Sequence, residues 1–68
     1  MRPPFEIELW SADGNSQLLN VTMSVDAAQR VYQEAAAKLN VGEIVRVRDA
    51  FGTLIFSTNP AELGIGNR

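Results

Sequence analysis

Apolar and charged residues alternate over Phe5-Glu6-Ile7-Glu8-Leu9, and Trp10 breaks the alternation. A period of two predicts a half-buried strand over residues 5–10. Pro3 and Pro4 cannot donate to a sheet ladder and mark its start. Ser11-Ala12-Asp13-Gly14 then carries the residues of a type I turn closed by a glycine in the left-handed region. A second strand is predicted over about residues 17–23. Its register follows from parity. A two-residue loop sets Leu9 opposite Leu18 and leaves Asn20 among the apolar positions. A three-residue loop places Leu19, Val21 and Met23 on the face of Phe5, Ile7 and Leu9, and a one-residue slip inverts every side chain. The odd loop is therefore expected.

Residues 24–39 change to helical spacing. At about 100° per residue, Val25, Ala28, Val31, Tyr32, Ala35 and Leu39 share a stripe of about 120°. Asp26, Arg30, Glu34 and Lys38 form an i, i+4 ladder of alternating sign on the other side. Ser24 is the expected N-cap, and Asp26 suits the first turn. Asn40 or Gly42 is expected to supply a left-handed stop. A third strand over 43–49 turns through Asp49-Ala50-Phe51-Gly52 into a fourth over 53–58. By the same three-residue loop, Val47 should face Ile55 and Val45 should face Ser57.

Asn59-Pro60-Ala61-Glu62 has the signature of a capping box on one helical turn. Gly64–Arg68 is expected to fray. The expected organisation is one ββαββ domain over residues 1–58, with a helical turn and tail over 59–68.

The fold class is α+β: a four-stranded sheet with one helix packed on one face. With the two terminal strands side by side in the middle, the arrangement is β-grasp-like. In a related arrangement the hairpins adjoin through other strands, or a strand is exchanged between protomers.

The parity of both hairpins assigns the face opposite the helix. Glu6, Glu8, Trp10, Leu18, Asn20 and Thr22 are expected there from the first hairpin. Ile44, Arg46, Arg48, Leu54, Phe56 and Thr58 are expected from the second. A solvated face should be polar. The apolar residues on this one point to an interface, and its two acidic and two basic side chains suit pairing with a copy of itself about a two-fold axis. The candidate partner-binding residues are Trp10, Leu18, Ile44, Arg46, Arg48, Leu54, Phe56, Glu6 and Glu8. Two plainer outcomes compete. Glu6 and Glu8 can simply pair with Arg46 and Arg48 across neighbouring strands, and the tail can fold over the apolar residues.

Composition narrows the chemistry. In 68 residues there is no Cys and no His, so disulfides, thiolate sites and imidazole bases are absent. A chain this short buries only about 60% of its unfolded surface, which leaves oligomerisation as the natural support. A net charge of −2 argues against a general nucleic-acid binder or an anionic-membrane binder. No apolar run exceeds three residues, so no membrane span is expected. The N-terminus lacks the apolar core of a signal peptide, and a cytoplasmic protein is expected.

Asp13, Asp26 and Asp49 each suit a local structural task. Glu6 and Glu8 lie about 7 Å apart on one strand face, with no pocket to separate their pKa values. The five glycines show no phosphate-loop spacing. Neither catalysis nor a cofactor is expected. A homodimer or a protein partner is expected. The alternative is a small regulatory nucleic-acid binder that stacks bases on Trp10 and Phe56 beside Arg46 and Arg48, with Glu6 and Glu8 repelling phosphate.

Val47-Arg48-Asp49-Ala50-Phe51-Gly52-Thr53-Leu54, followed by Asn59-Pro60-Ala61-Glu62, resembles short bacterial ββαββ proteins of unknown function. The resemblance rests on element order and a D-x-x-G turn. It implies a small bacterial protein and transfers no functional residue.

Overall fold

The structure is a computed structural model and describes residues 2–63. Its elements are β1 (Phe5–Trp10), β2 (Ser16–Thr22), α1 (Val25–Ala36), β3 (Ile44–Arg48), β4 (Leu54–Ser57) and a 3₁₀ turn η1 (Pro60–Leu63). One antiparallel sheet has the order β2-β1-β3-β4, with α1 against one face, so the class is α+β. The terminal strands are not neighbours. The hairpins adjoin through β1 and β3, the related arrangement rather than the β-grasp order. Because β1 is antiparallel to both β2 and β3, those two run parallel with β1 between them, and α1 is the crossover.

The core lies under α1. Ile7 faces Val47 and Leu9 faces Val45 across the central strands. Phe5, Ile7, Val45, Val47 and Ala28 are buried. Val25, Val31, Tyr32, Ala35 and Leu39 pack around them, as the helical stripe predicts. Ser24 caps the helix by accepting a 3.1 Å bond from the Ala27 N–H.

The helix stops differently from expectation. Its C-cap, Ala37, is right-handed, and the Lys38 N–H closes onto the Ala35 carbonyl at 3.1 Å, which tightens the last turn. Gly42, at φ +86°, instead forms the turn from Asn40 to Glu43. A Cβ there would lie 2.8 Å from the Cβ of Ala12, so the glycine lets the first hairpin tip approach. Asp26, Arg30, Glu34 and Lys38 are exposed. Among the described residues the ion pairs are elsewhere, between Arg46 and Glu62 and between Arg48 and Glu8.

Both hairpins have the expected three-residue loops. Ser11 and Asn15 close the first and Asp49 and Thr53 the second, with Gly14 and Gly52 at φ +90° and +80°. Each hairpin then departs from the expected register through one bulged residue. In β2 the extra residue is Leu19: Glu8 faces Leu18, but Ile7 faces Asn20 and Phe5 faces Thr22. Leu19 still packs on the core, while Val21 and Met23 do not join it and are exposed at 47% and 71%. Asn20 and Thr22 accordingly leave the helix-free face, and Val21, opposite Glu6, takes a place there.

In β4 the extra residue is Ile55, so Val47 faces Phe56 and Arg46 faces Ser57. Phe56 therefore belongs to the helix side, a correction of its expected place. Its ring stacks on Tyr32 with centroids 5.4 Å apart. The bulge sends both Ile55 and Phe56 to the core, which unbroken alternation cannot do. Phe56 is partly buried, so its burial favours the fold by less than the ~1.5–3 kcal/mol of a fully buried side chain.

Asp49 is buried, and its Oδ1 accepts from the N–H groups of Phe51 and Thr53 at 2.9 and 3.0 Å. This Asx turn fixes the β3–β4 loop. The Arg2 carbonyl adds a bond from the Ala50 N–H at 2.9 Å. The fraying expected of 64–68 falls outside the described residues.

Candidate functional site on the helix-free face

Strand alternation puts Glu6, Glu8 and Trp10 of β1 on the helix-free face beside Ile44, Arg46 and Arg48 of β3. Leu18 joins through Glu8, and Leu54 through Arg48. Eight of the nine expected residues thus share this face, and Phe56 does not. Val21 and Ser57 are on it without having been anticipated.

The centre of the face is a polar network on an aromatic base. The Arg46 guanidinium lies 4.8 Å from the centroid of the Trp10 ring, a cation–π contact. Arg46 Nε donates to Glu62 Oε1 at 2.9 Å, and its Nη2 pairs with Glu62 Oε2. The Ser57 hydroxyl donates to the same Oε1 at 2.7 Å and accepts from the Asn59 N–H at 3.0 Å. On the other side of Trp10, its indole N–H donates to Glu8 Oε1 at 3.0 Å, and Arg48 Nε reaches that oxygen at 3.4 Å. Arg48 Nη1 also donates to the Gly52 carbonyl at 3.1 Å.

The pairings differ from the directly opposed ones. Arg46 faces Glu8 and Arg48 faces Glu6 in the ladder. Arg48 instead takes Glu8 diagonally, and Arg46 takes Glu62 from η1. Glu6 is exposed.

Glu62 carries most of the electrostatic consequence. The bidentate bond from Arg46, with the Ser57 hydroxyl behind it, holds this carboxyl down at about 2. The same bond raises Arg46. The sequence signature of Asn59-Pro60-x-Glu62 indicated the turn but not this contact. A capping box would send the Glu62 carboxylate back to the Asn59 N–H, but Ser57 takes that N–H and frees Glu62 to reach across the sheet. Asn59 Oδ1 accepts from the Ala61 N–H at 3.3 Å as the turn's cap.

The apolar exposure of this face lies to one side. Trp10, Ile44 and Leu54 are half-buried. On β2, Leu18 is 56% exposed and Val21 47%. At the hairpin end, Leu9, Ser11, Asn15, Ser16, Gln17 and Glu43 line a shallow depression of about 220 Å³, smaller than small-molecule pockets usually are.

Asp13 has local partners. Asp13 Oδ1 accepts from the Ser11 hydroxyl and from the Asn15 N–H at 3.1 Å, and Oδ2 accepts from the Asn15 amide at 3.0 Å. The Ser11 bond, with help from Asn15, lowers the Asp13 pKa. Among the described residues, no group of three metal-ligating side chains converges. None of the described helices is long and apolar enough to cross a membrane. Comparison with protein-family models, with curated proteins and with solved structures gave no match to the chain.

Proposed function

We propose that this chain is a non-catalytic protein-interaction module that self-associates through its helix-free side. The observation that carries the reading is the uneven surface of that side. Its charged centre is satisfied internally, and its exposed apolar side chains, Leu18 and Val21, stand on β2. Exposed apolar side chains beside an internally paired charged centre suit a partner of the same kind. Four of the eight carboxylates support a non-catalytic role, since Glu8 and Glu62 hold arginines and Asp13 and Asp49 hold turns.

A protein partner is favoured over nucleic acid for a specific reason. Arg46 and Arg48 already hold carboxylates, and phosphate would have to displace them. Phe56, half of the expected stacking pair, is committed to Tyr32.

The test is the solution mass of Leu18→Lys beside that of Arg30→Ala, whose site is on the outer side of α1. Leu18→Lys should lower the average mass at a concentration where Arg30→Ala leaves it unchanged. Equal masses for both variants would reject the reading. A mobility shift of random single-stranded RNA or DNA at low salt, where phosphate contacts are strongest, would favour the nucleic-acid alternative.

A further inference from the structure

The self-association proposed above has two possible geometries, and the charges decide between them. Stacking two helix-free faces would bury Arg46, Glu62, Arg48 and Glu8. Removing both ion pairs from water costs more than their attraction returns unless every lone pair finds a partner. The η1 turn is bonded to that centre too, through Glu62 and Arg46.

The sheet edges differ from each other. β4 is four residues long and is followed after Thr58 and Asn59 by η1, with Ser57 buried beside Glu62. β2 is seven residues long, with five of them exposed. No charged residue occurs from Gly14 to Val25, and no proline either. Edge strands are ordinarily protected by lysine, proline or brevity, and β2 has none of these. Its protection is confined to its second half. There the Leu19 bulge breaks the line, and Asn20 Oδ1 occupies the Val21 N–H at 2.8 Å. Ser16, Gln17 and Leu18, before the bulge, keep a regular edge.

We infer that two copies join by antiparallel pairing of β2 with β2 over Ser16–Leu18, about a two-fold axis at Gln17, continuing the sheet from one chain into the next. An uncharged strand can lie beside its own copy without like-charge repulsion. Leu18 then lies at the seam on the helix-free side, where apolar contact adds to the backbone bonds. The two charged centres stay in water.

The inference rests on self-association, and the experiment separates the two. Gln17→Lys and Gln17→Glu each place like charges beside each other at the axis. Gln17 is exposed and faces Leu9, so neither substitution touches the helix-free face. Masses are measured by sedimentation for each variant alone and for an equimolar mixture. Each variant alone should associate at least tenfold more weakly than the unmodified chain, and the mixture should recover association by forming the mixed pair. Hydrogen exchange at Ser16–Leu18 in the unmodified chain should slow as concentration rises. An unmodified chain that stays monomeric would overturn both the inference and the self-association. A dimer that tolerates both substitutions, with exchange on β2 independent of concentration, would overturn the β2 pairing and leave self-association standing.

Discussion

The guanidinium of Arg46 is held between the Trp10 ring, 4.8 Å from its centroid, and the Glu62 carboxylate, which accepts from its Nε and Nη2. Trp10 and Arg46 come from the two central strands, and Glu62 from the turn after the last strand. This sandwich ties η1 to the sheet and fills the middle of the helix-free face with satisfied charge. The exposed apolar side chains of that face, Leu18 and Val21, lie to one side of it, on β2.

The Glu62 carboxyl should titrate near 2, followed by the NMR shift of its side-chain carbonyl carbon. Its ordinary value is 4.5. A carboxyl with a lowered folded value stabilises the fold above its unfolded value and loses that contribution as pH falls towards the folded one. Docking of η1 should therefore be complete above pH 4.5 and fade between there and pH 2. Ser57→Ala removes one donor and should move the midpoint upward. A midpoint at the ordinary value in the unmodified chain would mean that Glu62 does not hold Arg46 in solution.

Phe56→Ala should destabilise the domain by about 3 kcal/mol, read from urea unfolding, because it deletes a ring stacked on Tyr32. It should do so without a specific effect on association. A variant of near-normal stability with lost association would return Phe56 to the helix-free face.

Three glycine substitutions should rank by geometry. Gly14→Ala and Gly52→Ala force a side chain into left-handed backbone with open space around it, at about 1 kcal/mol each. Gly42→Ala adds a clash with the Ala12 Cβ and should cost more. Ala12→Gly should recover part of that loss in the double variant, measured by thermal unfolding. Additive effects would show that the two loops do not touch.

Asp49→Ala should cost about 1–3 kcal/mol, since it strands two N–H groups in the β3–β4 turn that the carboxylate now satisfies. Asp49→Asn, which keeps one acceptor, should recover most of the loss in urea unfolding. Equal losses for both would show that charge, not the Asx geometry, matters there.

Much of this was legible in the sequence. Strict alternation at Phe5–Leu9, the Val25–Leu39 stripe and the glycines at positions 14 and 52 specify the element order and both loops. Strand order was not legible, because either of two central pairings buries the same apolar set. The bulges were hidden for a related reason. Leu18-Leu19 and Leu54-Ile55-Phe56 are consecutive apolar residues, and such runs satisfy either parity. Alternation constrains register only where polar residues separate apolar ones. That ambiguity misplaced Phe56, Val21 and Met23. Glu62 was missed because a local capping signature carries no information about a long-range partner.

The most direct measurement is the mass of the unmodified chain by sedimentation equilibrium across a wide concentration range at neutral pH. Self-association through β2 requires the average mass to climb from that of one chain towards that of two and to level there, because pairing about a two-fold axis is closed. A mass that stays at one chain up to the highest concentration would contradict it.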